Sequence, residues 1–304
     1  MLEQENTFHS GFIGLVGPTN SGKSTLLNAI VGEKVSIVSR RSQTTYHGVK
    51  GIRNTKRAQL IFVDTPGFQR HPETIARLLN RVADKNAKEA DLLVWVFDAS
   101  NPRVVGQIQQ LKDRITQARP KEKSYLVLNK VDKVKKPELL PLLQELFQLG
   151  YFQEIIPISA LKQDGVERLV SILEEKLPLG MPYFPYDMVT DRSEQFLVSE
   201  FIREKIYEAT YQEVPYAVWV EIEGWEAAEE GSVPTIRAVI HVDSTSKRGI
   251  LIGKSGEMLK RIGTAARSQA EELLGKQICL KLHVDVAKEW KRDTRHLNRY
   301  LELT

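Results

Sequence analysis

Eight residues, Gly17-Pro18-Thr19-Asn20-Ser21-Gly22-Lys23-Ser24, fit the spacing GxxxxGK[ST]. The chemistry this pattern serves is the cradling of phosphates. Glycines let successive backbone N–H groups turn inward, and the helix that follows adds partial positive charge at its N-terminus. Lys23 reaches the β and γ phosphates, Ser24 offers a hydroxyl to magnesium, and Thr25 opens the helix. A chance match in a chain of this length is on the order of one in a hundred. Alone, the loop implies a nucleoside triphosphate and leaves ATP and GTP both open.

Three further pieces favour guanine. Asp64-Thr65-Pro66-Gly67 follows an apolar run, so Asp64 can sit behind a metal-bound water and Gly67 can offer an N–H to the γ phosphate. Asn129-Lys130-Val131-Asp132 has the form NKxD. A carboxylate at Asp132 accepts from the ring N–H and exocyclic amine of guanine, whereas adenine leaves it unpaired, and an unpaired polar site discriminates strongly. Ser159-Ala160-Leu161 can supply a backbone N–H to the guanine oxygen. Gln43-Thr44-Thr45 is the expected switch, with one hydroxyl, assigned to Thr45, joining Ser24 on magnesium only when the γ phosphate is present. Phe68 stands where Ras-like proteins carry a water-orienting glutamine. Phenylalanine cannot polarise water, so slow intrinsic hydrolysis is expected, with potassium near Asn20 as a candidate aid.

The elements that must position these residues are legible as a pattern. Apolar runs at Gly11–Val16, Ala58–Val63, Leu92–Phe97, Ser124–Leu128 and Ile155–Ile158 alternate with helical periods such as Pro72–Ala90 and Pro137–Leu149. That alternation predicts a mostly parallel α/β sheet flanked by helices, with the motifs at the C-terminal ends of its strands. Residues 1–176 are therefore read as a GTP-binding domain. The stretch Leu177–Asp187, with three prolines and a glycine, predicts a linker over 177–190.

From residue 191 to 304 the order becomes helix–strand–strand–helix–helix–strand, a small α+β domain. The acidic stretch Glu221–Glu230 is expected as a solvated hairpin loop. Between the last two helices lies Gly253-Lys254-Ser255-Gly256, preceded by Lys247, Arg248 and Ile252 and followed by Lys260. Two glycines allow a nucleic-acid strand close to the backbone while Lys254 meets phosphate, which is the GXXG clamp of KH domains on about four nucleotides. A plain helical corner would look the same at these four residues. The order of elements, and six basic residues against one acidic between Lys247 and Arg267, favour RNA. The basic run Lys288–Arg299 fits a solvated helix as well as it fits RNA contact.

Composition sets outer bounds. The 304 residues are 41% hydrophobic and 27% charged, which excludes a disordered or fibrous chain. The net charge of +4 is unevenly spread, with +7 over residues 1–180, −9 over 181–230 and +6 over 231–304. No apolar run reaches the ~20 residues of a membrane span. The first ten residues are polar and acidic, unlike a secretion signal. Cys279 is the only cysteine, which excludes an internal disulfide, and no disulfide-linked partner is expected. A reducing cytosol is the expected compartment. The six histidines show no metal-ligand spacing.

Together, Gly17–Ser24, Gln43–Thr45, Asp64–Phe68, Asn129–Asp132, Ser159–Leu161 and the KH-like Lys247–Gly263 resemble the bacterial Era family of GTPases along essentially the whole chain. Phe68 agrees with that family, while Tyr46 stands where the related motif usually continues with arginine. The resemblance implies a P-loop GTPase domain followed by a type II KH domain. It implies GTP as substrate, GDP as product and magnesium as cofactor. It also implies binding to the 3′ end of small-subunit ribosomal RNA, a role in ribosome small-subunit assembly, and peripheral contact with the cytoplasmic face of the inner membrane. Two other readings compete. A phosphoryl-transfer enzyme fits poorly, because Asn129–Asp132 and Ser159–Leu161 serve base selection. A membrane-associated signalling GTPase, its basic C-terminal domain on lipid or protein, is separable only by a binding test.

Overall fold

The computed structural model describes residues 8–39, 48–68, 74–211, 213–227 and 233–288. The expectations placed on Gln43, Thr44, Thr45 and Tyr46, and on the basic run from residue 289 onward, lie outside the described residues. The chain divides into two compact units, Met1–Ser36 with Thr45–Asp191 and Ile37–Thr44 with Arg192–Thr304.

In the first unit β1 (His9–Val16), β3 (Ala58–Asp64), β4 (Leu92–Asp98), β5 (Ser124–Asn129) and β6 (Glu154–Pro157) run parallel. β2 (Val49–Asn54) joins as an antiparallel edge, giving the order β2-β3-β1-β4-β5-β6. The central strands are near-continuous apolar runs because helices cover both faces of such a sheet. Trp95, Phe97, Leu126 and Leu128 form one buried layer with Ile108 and Ile115. Register then does the positioning. Leu15 pairs with Asp64, Val16 with Trp95 and Asp98 with Asn129. The ends of β1, β3, β4 and β5 therefore open on one edge of the sheet, where the loops that bear the motifs begin.

Among the described residues of this unit the α-helices are α1 (Lys23–Val31), α2 (Thr74–Glu89), α3 (Val104–Gln110), α4 (Lys112–Ala118), α5 (Lys136–Gln148) and α6 (Val166–Glu174). The proline-rich stretch read as a linker is fastened to this unit by Gln59, which is fully buried. Its amide donates to the Phe184 carbonyl at 2.8 Å and to Asn54 at 2.9 Å, and its carbonyl accepts from the N–H groups of Tyr183 and Phe184 at 2.7 and 2.9 Å.

The second unit is α7 (Glu194–Ala209), β7 (Val218–Glu226), β8 (Thr235–Val242), α8 (Thr245–Ile252), α9 (Glu257–Leu274) and β9 (Cys279–Val286). β7 and β8 pair antiparallel, and β9 pairs parallel to β8. Ile202, Ile206, Ile240, Val242, Ile262 and Ala266 pack between helices and sheet. The acidic stretch departs from the loop expected of it. Glu221, Glu223 and Glu226 belong to β7, where a register shift between Ile222 and Gly224 marks a bulge. Glu221 and Glu223 are exposed along the strand, so their charge stays in water while the backbone pairs. No helix among the described residues is long and apolar enough to cross a membrane.

Candidate functional site

The phosphate loop turns from β1 into α1. Gly22 caps the helix in the left-handed region at φ 96°, and a Cβ there would lie 2.3 Å from the Asn129 amide nitrogen. Glycine alone meets both demands. Lys23 is 5% exposed and donates to the carbonyls of Gly17 and Pro18 at 3.2 and 2.9 Å. Desolvation pulls its pKa down to about 8, although Asp64 works in the opposite direction. A lysine held dry among carbonyls is poised for an anion, because phosphate oxygens return the solvation that burial removed.

Asp64 is fully buried at the end of β3. It accepts from the Ser24 hydroxyl at 2.7 Å and from the Ser36 hydroxyl at 3.1 Å. Hydroxyl and carboxylate oxygens so close together are the hard donors that magnesium selects. Beside them Thr65 donates to the Leu15 carbonyl at 2.7 Å, tying the loop to β1. Gly67 runs so close to Thr19 that a Cβ would meet its backbone at 2.7 Å. The Phe68 N–H donates to the Gly17 carbonyl at 3.1 Å. Pro66 lies between these two ties. Asn20 is exposed, with φ 62°, and its carbonyl accepts from Lys130 at 2.6 Å.

Asn129 joins three loops. Its amide donates to the Ser21 carbonyl at 3.0 Å, and its side-chain carbonyl accepts from the N–H groups of Lys130 at 2.8 Å and Ala160 at 3.0 Å. It is 2% exposed, so its work is to hold phosphate loop, NKxD and Ser-Ala-Leu together. Asp132 is exposed and aimed by Ser159, whose hydroxyl donates to it at 2.7 Å. Leu161 is 76% exposed. Sequence reading overlooked Asp98, which pairs with Lys130 at 2.7 Å. Burial works to raise the Asp98 pKa, but hydrogen bonds from Lys130 and Ser100 outweigh it and hold the carboxyl below its ordinary range. With the Asn20 carbonyl, Asp98 fixes the Lys130 stem.

In the second unit Gly253 and Gly256 take φ 71° and 80°, with Ser255 at 51° between them. Lys254 and Ser255 are exposed, and Lys260 is exposed one turn into α9. Lys247 pairs with Asp243 at 2.7 Å and is less available than its sequence position suggests. Arg248 and Ile252 are half-buried on α8. Beside the turn lies a groove of about 450 Å³, its floor Leu259, Leu280 and Leu282 and its rim Lys260, Thr264 and Arg267. The β9 leucines were missed because only the parallel pairing of β8 and β9 brings them to α9, where they meet the side of the helix that carries Arg267. An apolar floor beneath basic rims suits unstacked bases above a phosphate track.

The family described as 50S ribosome-binding GTPase matches residues 12–130, and the KH domain family matches residues 213–291. GTPase Era of Geotalea uraniireducens is 43% identical, over 97% of this chain and 98% of that protein. GTPase Era of Syntrophus aciditrophicus is 43% identical over 96% and 95%. Among solved structures, Era in complex with MgGDPNP and nucleotides 1506–1542 of 16S ribosomal RNA superposes with a TM-score of 0.90, at 34% identity over 96% of this chain and 98% of that one. A variant of Aquifex aeolicus Era bound to GDP and tetrafluoroaluminate gives 0.87 at 35% identity, with the same coverage.

Proposed function

The chain belongs to the Era family of GTPases, and from that premise we propose a GTP-driven switch that grips small-subunit ribosomal RNA through its KH unit and acts in assembly of the small subunit. The observation that carries this reading is likeness over both units to a structure that holds MgGDPNP and nucleotides 1506–1542 of 16S ribosomal RNA.

In this reading Gly17–Thr25 and Asp64–Phe68 surround the phosphates. Ser24 ligates magnesium and Asp64 supports its water. Asp132, aimed by Ser159, reads the base together with the Ala160 N–H. Lys254, Lys260 and Arg267 track RNA phosphates while bases enter over Leu259 and Leu282. The protein works in the cytoplasm and touches the inner membrane only from outside the bilayer. Crosslinking to RNA in cells, followed by sequencing, tests the whole. The expected result is enrichment of the 3′ end of small-subunit ribosomal RNA. Recovery of unrelated RNA in proportion to abundance, with tight binding to anionic vesicles, would favour the membrane-signalling reading instead.

Potassium is proposed as the aid to hydrolysis. Asn20 lies within the phosphate loop, and Phe68 carries no group that orients water. A cation beside the phosphates offsets charge as it develops in the transition state. Turnover is expected to be several-fold faster in potassium than in sodium at equal ionic strength. Equal rates would assign that task to a group supplied by a partner.

A further inference from the structure

Phe68 is fixed at its backbone by the phosphate loop and at its ring by something else. Gly67 lies against Thr19 and the Phe68 N–H is bonded to Gly17, so the backbone cannot leave the loop. Two courses are open to the ring. It can lie over the mouth of the loop, or it can turn back into the molecule. Here it packs on the buried layer around β4, its centroid 6.0 Å from that of Trp95. Arg114 of α4 lies over the ring, its guanidinium carbon 4.0 Å from the ring centroid. Arg114 is itself held by both carboxylate oxygens of Asp84 on α2, each at 2.9 Å. A planar guanidinium paired in this way is a rigid lid for an aromatic face, whereas a lysine offers only a point charge.

We propose that Arg114 is a positioning residue for GTP hydrolysis, a latch that keeps the Phe68 ring turned away from the γ-phosphate side of the loop so that water can reach it. With the backbone held, an unlatched ring can still rotate about its Cα–Cβ bond and sweep over the mouth. There it displaces the water that must attack and offers no polar atom in exchange. The inference rests on reading Asp64–Gly67 as the γ-phosphate loop. Nucleotide affinity, measured on the same samples, separates failure of that reading from failure of the latch.

The experiment measures kcat, KM and affinity for a fluorescent GTP analogue in four full-length variants. Arg114→Ala should lower kcat three- to tenfold and leave KM within twofold. Arg114→Lys keeps a cation within reach of Asp84 but loses the flat face, so it should show most of the same loss. In a Phe68→Leu background there is no ring to hold, and adding Arg114→Ala should cost nothing further, as a double-mutant cycle requires when two residues act through one contact. An unchanged kcat in Arg114→Ala overturns the latch. So does full rescue by lysine, and so does an equal loss with and without the ring, since either means that the arginine serves only to tie α4 to α2. Should Arg114→Ala fail to hold the analogue at all, Arg114→Lys decides between the same outcomes.

Discussion

Replacing Asp132 with asparagine is expected to turn a GTP-binding protein into one that prefers XTP. The exposed Asp132 carboxylate accepts a hydrogen bond from the Ser159 hydroxyl at 2.7 Å and is open to solvent. Guanine donates there through two N–H groups. Hydrogen bonds to a charged partner contribute ~1.5–3 kcal/mol each, so losing both lowers GTP affinity by on the order of 100-fold or more. Xanthine carries a carbonyl where guanine has its amine. The Ser159 hydroxyl still donates to the oxygen of the new amide, and this turns the NH₂ toward the base, where it meets that carbonyl. Competition of GTP and XTP against a fluorescent nucleotide reads the preference directly. A variant that still favours GTP would remove Asp132 from base recognition. The neighbouring Asn129 is no substitute target, because its amide and carbonyl hold Ser21, Lys130 and Ala160. Changing it disturbs three loops at once.

How much of this was visible in the residue string depends on how local each feature is. The phosphate loop and NKxD are contiguous, and each follows an apolar run that can only be a buried strand, so both site and sheet could be read. β2 could not. Val49, Gly51 and Ile52 are buried but Lys50 and Arg53 reach water, since an edge strand buries one face and its pattern is short and mixed. The Glu221–Glu226 strand misled for a related reason: alternate glutamates on a solvated face look like a loop until the antiparallel partner is known. Asp98 gave no signal, because an aspartate that ends a strand and bonds Ser100 two residues on is ordinary turn chemistry. Its bond to Lys130 depends on β4 lying beside β5. Arg114 is harder still. It ends the short charged run Lys112-Asp113-Arg114, and only tertiary packing shows that its partners are Phe68 and Asp84.

Converting Lys254 and Ser255 together to aspartate is expected to lower RNA affinity by at least tenfold, about 1.4 kcal/mol. Both side chains are exposed, so no core contact is lost. Ser255 has φ 51°, and aspartate tolerates that left-handed backbone better than most residues, so the turn keeps its shape. Gly253 and Gly256 remain, and so does the close approach they permit. What changes is the field along the path of the strand. One positive charge disappears and two negative charges appear where phosphates must pass, while Lys260 and Arg267 still line the neighbouring groove. Those two cations cannot offset repulsion at the point of closest backbone approach, so binding weakens and its salt dependence flattens. Labelled single-stranded RNA titrated against both proteins measures the loss, and a duplex of the same sequence should bind the unaltered protein less well, because the groove admits unstacked bases. GTP affinity is the folding control, since the nucleotide loops belong to the other compact unit. Equal RNA affinity with intact GTP binding would mean that Gly253–Gly256 does no more than turn one helix into the next.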